Sequence, residues 1–267
     1  MMLLCGLGSV LLLVLQPPPA PADASPTPVI APIQFAPPVG RPMSYRITTR
    51  RIGRDGSLIN FSLVYGLQWQ RIGRGYQLEA VLQRIDSDAP PAVTRALTLM
   101  IQPLVGEALA YLVAPDGSRI DLVDPEGLWE RATVRIETAG ADGGRAEARQ
   151  LAQAIAALPT AERDRLATAD VRALVVPANA AIPTQAARND AKVSIVQNAA
   201  LRTITKVERS STAAGGRTQT LEIDHRWTID TVTGLLVQER RQSWIVADDG
   251  SERTLVEERV RALEAVP

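Results

Sequence analysis

The chain is poor in the residues that most often carry chemistry. Its 267 residues include one cysteine, Cys5, one histidine, His225, and two lysines, Lys192 and Lys206, while aromatic residues make up only 4%. One cysteine cannot close an internal disulfide, and one histidine without a second thiol cannot assemble the usual zinc ligand sets within a single chain. Charge of one sign is also missing: 29 basic side chains balance 29 acidic ones, and the arginines are scattered. That balance argues against nucleic acid as the main partner. There is no Gly-x-Ser-x-Gly elbow, phosphate loop or dinucleotide fingerprint. The acidic run Asp248-Asp249-Gly250-Ser251-Glu252 lacks the ligand spacing of a calcium loop and reads as a hairpin turn. No cofactor and no metal is expected.

What the chain does have begins with an apolar run from Leu3 to Leu15, followed by Ala22-Asp23-Ala24. As a helix this run would cover about 20 Å, short of the ~30 Å hydrocarbon core of a bilayer. It reads as an export signal over residues 1–24, with small residues at the cleavage site, although no Lys or Arg precedes it. Cleavage there would remove Cys5 and leave a protein without thiols. Ten prolines lie between Pro17 and Pro42, so residues 25–42 are expected to form a disordered, extended spacer.

A single folded domain is expected over residues 43–267. Met43, Tyr45 and Ile47 alternate with polar residues at the period of a half-buried strand. Ile59, Phe61, Leu63, Tyr65, Leu67 and Trp69 mark a longer strand with one apolar face. The tetrapeptide Arg-Ile-Gly-Arg occurs at Arg51 to Arg54 and at Arg71 to Arg74, each time between strand-like runs, and is read as a turn. Further strands are expected over Tyr76 to Ile85, Leu97 to Ile101, Glu107 to Val113 and Arg119 to Val123. Asp124-Pro125 is a helix start, with the aspartate as N-cap and the proline where its missing N–H costs nothing. Helical spacing of Leu128, Ala132 and Ile136, then of Ala148, Ala152 and Ile155, continues to a helix capped by Thr160 and extending through Leu166 and Val171. The stretch with Pro177 and Pro183 is a crossover, and strands return to the end. Among them Leu221, Ile223, His225, Trp227 and Ile229 share an apolar face. Strands, helices, strands is the order of an α+β fold: an antiparallel sheet with the helices packed on one face.

Candidate functional residues follow from these faces. Phe61, Tyr65, Trp69 and Trp227, with His225, either line a cavity for an apolar ligand or pack as core beneath the helices. His225 as the base of a hydrolase would need a distant serine and carboxylate, since Asp224 and Arg226 point to the opposite face of its strand.

The organisation resembles that of exported bacterial proteins similar to the periplasmic lipoprotein carriers. The resemblance rests on the pattern from Tyr45 to Ile85, on Tyr111 to Gly117 leading into the Asp124-Pro125 helix, and on the closing meander from Leu221. It implies a curved half-barrel around central helices, and it transfers no catalytic or ligand residue. The expected function is non-enzymatic binding of a lipid or acyl chain in the cell envelope. The alternatives are a scaffold for another envelope protein and a hydrolase built on His225.

Overall fold

A computed structural model describes residues 33–52, 56–91, 94, 101–139, 145–175, 191–214, 217–247 and 252–265. Outside these residues lie the expected export signal, the first part of the spacer, the Gly140 to Gly144 loop, the crossover with Pro177 and Pro183, the Asp248-Asp249-Gly250 turn and the centre of the first Arg-Ile-Gly-Arg turn.

Among the described residues there are ten strands: β1 (Pro42–Ile52), β2 (Leu58–Ile72), β3 (Gly75–Ser87), β4 (Ala108–Val113), β5 (Ile120–Leu122), β6 (Ala191–Asn198), β7 (Leu201–Ala214), β8 (Arg217–Asp230), β9 (Leu236–Val246) and β10 (Arg253–Ala265). Helices α1 (Pro125–Ala139), α2 (Arg145–Ala156) and α3 (Thr160–Val175) lie between β5 and β6. All strands join one open antiparallel sheet, ordered β5-β4-β3-β2-β1-β10-β9-β8-β7-β6. Two meanders are therefore joined through the first and last strands, with Tyr45 opposite Leu263 and Ile47 opposite Arg261. The α+β reading from sequence holds at this level: one large antiparallel sheet plus helices.

Local signals explain most of the elements. The second Arg-Ile-Gly-Arg closes a two-residue hairpin, with Ile72 opposite Gly75 and Gly73 at φ 56°. Asp124 caps α1, its Oδ1 accepting the Gly127 N–H at 3.1 Å. The α3 start lies one residue earlier than expected: the Pro159 carbonyl accepts the Arg163 N–H at 3.0 Å, and Thr160 is already helical. The expected strand from Leu97 to Ile101 lies outside the described residues except for Ile101, which is helical, not extended (φ −110°, ψ −29°), and leads into a 3₁₀ turn over Gln102–Leu104. Pro103 within that turn favours the tighter backbone.

The spacer reading needs a larger correction. Ile33 and Phe35 are buried at 6% exposure each, and the Phe35 ring meets Trp69 at 5.6 Å and Tyr76 at 5.4 Å, edge to face. The Ala36 N–H bonds the Thr233 carbonyl at 2.9 Å. A side chain at position 234 would lie 2.7 Å from the Gln34 carbonyl, and Gly234 has φ +71°, so only glycine fits that turn beneath the incoming segment. Two buried apolar side chains outweigh the extended bias of the surrounding prolines, and the folded core takes in Ile33 and Phe35, ahead of Met43.

The main core lies between the sheet and α3, whose Val171, Leu174 and Val175 are buried against Tyr45, Leu67, Tyr111 and Leu236. A smaller cluster of Ile136, Ala148 and Ala152 holds α1 to α2. Truncating Phe35 to alanine should lower unfolding free energy by about 3–5 kcal/mol in urea titrations. A loss below ~1 kcal/mol would return this segment to the status of a spacer.

Candidate functional site

Alternation along the strands brings Tyr45 of β1, Tyr65 of β2 and Tyr111 of β4 to the face covered by α3. Tyr45 is directly opposite Tyr65, while Tyr111 is opposite Leu78. Between these phenols and the helices is an apolar cavity of about 140 Å³, lined also by Leu109, Leu174 and Trp129. Tyr111 donates to the Ala167 carbonyl at 3.0 Å, and Tyr45 donates to that of Asp170 at 3.4 Å. No hydrogen bond of the Tyr65 hydroxyl to a described residue is found. Burial raises all three phenol pKa values above the ordinary 10, and the Asp170 carboxylate raises them further, so the hydroxyls are neutral donors at physiological pH.

Outside this cavity, Glu126, Trp129, Glu130, Thr133, Val134 and Ile155 border a groove of about 440 Å³ on the helix layer. Trp129 belongs to both walls. Its Nε1–H is buried without a hydrogen-bond partner, an arrangement native proteins rarely keep without a reason.

A chain of charged groups runs from the rim of the cavity across the sheet. Ile47, Arg261, Glu239, Trp227, Ile204 and Ile195 form one cross-strand row on the helix-facing side. Arg261 reaches Asp170 of α3 at 3.2 Å and Glu239 at 2.5 Å, and His225 meets the other Glu239 oxygen at 2.5 Å. Arg261 and Glu239 are both nearly enclosed. Burial pushes the Glu239 carboxyl up, but the His225 hydrogen bond and the Arg261 charge outweigh it and hold its pKa below the ordinary 4.5. The carboxylate is ionised, so His225 donates through Nε2–H. The His225 ring also lies 3.6 Å from that of Trp227.

Of the residues expected at the site, only Tyr65 lines the 140 Å³ cavity. Trp69 is fully enclosed in the aromatic cluster with Phe35 and Tyr76. Phe61 is half-buried farther along β2, opposite Thr49 and Ser87. His225 and Trp227 sit together across the sheet, at the far end of the charged chain. Tyr45, Tyr111, Trp129, Asp170, Glu239 and Arg261 were not singled out from sequence. Asp224 and Arg226 do lie on the face opposite His225, as alternation requires, and the carboxylate that orients His225 comes from the next strand. Among the described residues no serine, threonine or cysteine is hydrogen-bonded to His225, and no group of three or more His, Cys, Asp or Glu could hold a metal ion. Among the same residues no helix is long and apolar enough to cross a membrane.

No protein-family model matches the chain, and no curated protein matches it in sequence.

Breaking a buried ion pair from one side leaves an uncompensated charge, so Glu239→Gln should cost about 3–5 kcal/mol at pH 7. A depressed carboxyl pKa contributes stability that is present above the ordinary 4.5 and is lost as pH falls through the depressed value. The gap between wild type and Glu239→Gln should therefore narrow in acid. Urea midpoints measured from pH 7 down to pH 3 test this, and a gap that stays constant with pH would contradict it.

Proposed function

We propose that the protein is a non-enzymatic, exported binding protein of the cell envelope, a half-barrel whose curved sheet wraps its helices and shelters an apolar ligand such as a lipid or acyl chain. The observation that carries this reading is Trp129 lining both the apolar cavity beneath α3 and the groove on the helix layer. The cavity by itself is smaller than the ~300–1,000 Å³ of typical small-molecule sites. Trp129 is common to the walls of the cavity and the groove, whose volumes of about 140 Å³ and 440 Å³ would together fall within that range. The lining suits such a ligand: apolar walls take a hydrocarbon chain, while Tyr65 and the Asp170 region supply a few polar groups at one end. Affinity would come mainly from buried methylenes, at about 0.8 kcal/mol each.

The irregularities of the sheet support a curved form. Register shifts leave one extra residue each on β3 (Gln83, beside Val64 and Tyr65), β9 (Val237, beside Thr228 and Ile229) and β10 (Val256, between Leu255 and Glu257). Bulges of this kind bend strands and increase their twist.

Ala167→Phe places a ring in the cavity from α3 and should weaken binding of a fluorescent fatty acid by roughly tenfold or more, the equivalent of two or three methylenes denied burial. Trp129→Ala should speed its uptake. The test is a fluorescence titration with circular dichroism confirming the fold. Absence of binding to wild type, or equal binding by a folded Ala167→Phe, would overturn the reading.

A further inference from the structure

The sheet face turned away from α3 contains a second, chemically different recess. Its volume is about 590 Å³, and Lys192, Arg209, Arg226, Arg240 and Arg253 border it. Alternation places these residues on the same face: Lys192, Val207, Asp224, Gln242, Glu258 and Arg50 form one cross-strand row, and Thr205, Arg226, Arg240 and Val260 form the next.

Two buried glutamates organise the cations. Glu222 is 4% exposed and receives Arg209 at 2.5 Å and Arg253 at 2.6 Å. Glu258 is 2% exposed and receives Arg50 at 3.1 Å, Arg240 at 2.6 Å and the Gln242 amide at 2.9 Å. Arg253 also bonds Asp224 at 2.7 Å and lies over the Trp244 ring at 4.6 Å. A guanidinium has five N–H donors, and a carboxylate engages only part of that fork. The buried acids thus fix the guanidiniums in place while Arg209, Arg240 and Arg253 remain substantially exposed.

Arg226 adds the decisive detail. It is exposed and directly opposite Arg240 on the neighbouring strand, and neither it nor Lys192 has an ion-pair partner among the described residues. Like charges placed directly across a sheet are destabilising, and an anion held between them would reverse the sign of that interaction. Five cations set against three carboxylates, Glu222, Asp224 and Glu258, that are already paired leave an excess of positive charge at the recess.

We propose that this recess is a binding site for a soluble, multiply charged phosphate compound of the pyrophosphate or phosphomonoester class. Bidentate Arg–phosphate bonds are the strong, geometrically selective contacts that preset guanidiniums make. A recess, as opposed to a flat basic patch, fits a discrete group better than a membrane plane. The site lies across the sheet from the tyrosine-lined cavity and does not depend on that cavity holding a ligand.

The test is calorimetric titration of the full chain with pyrophosphate, at low and at 150 mM salt, alongside flotation with phosphatidylglycerol vesicles. The expected result is one site per chain, weakened about tenfold in Arg226→Gln and in Lys192→Gln and unaffected by Arg119→Gln on the remote β5 edge. Without ligand, Arg226→Gln should melt at the wild-type temperature or higher, because it removes the repulsion with Arg240. The proposal is overturned if pyrophosphate gives no saturable binding, if Arg226→Gln and Lys192→Gln bind it as wild type does, or if the chain binds the vesicles and not pyrophosphate.

Discussion

The pairing of β1 with β10 joins residues that are more than two hundred positions apart and turns two meanders into one sheet. Both sites depend on it. It aligns Ile47, Arg261 and Glu239 in a single row, so that a charged pair from the last two strands lies beside the tyrosines of the first ones. On the opposite face it sets Arg50 against Glu258, one of the two carboxylates that anchor the arginine-rich recess. Loop-closure entropy opposes so distant a contact, and apolar burial on the helix side has to offset it. The enclosed Tyr45, Leu67 and Val175, together with Ile33 and Phe35 from the preceding segment, provide that burial.

Helix α3 covers part of one face of this sheet. It is fastened by contacts of three kinds: apolar packing through Val171 and Leu174, two tyrosine hydroxyls on its backbone carbonyls, and Asp170 on Arg261. The polar contacts are directional and few, and they lie at the margin of a cavity whose remaining wall is apolar.

Much of the fold could be read from local pattern. The alternation around Phe61 to Trp69, the Gly73-Arg74 turn and the Asp124-Pro125 helix start each follow from short-range rules, and each is present. The site was less legible. Phe61, Tyr65 and Trp69 share a face, but which of them meets a cavity depends on what lies above each one, and periodicity does not contain that information. Trp69 is covered by Phe35, from a segment whose prolines disguise two core residues. The register shifts near Tyr65, Ile229 and Glu257 change which residues stand opposite one another, so the meeting of Arg261 with Glu239 is hidden from strand-by-strand reading. Partners such as Asp170 and Arg261 come from distant elements and leave no trace in spacing.

The most direct measurement is native mass spectrometry, with lipid extraction, of the protein purified from its own cells. The account predicts a stoichiometric lipid or acylated adduct that is lost when Ala167→Phe fills the seam beneath α3. A clean ligand-free mass for the wild-type protein, under conditions that preserve other lipid complexes, would contradict it and leave the seam as ordinary core.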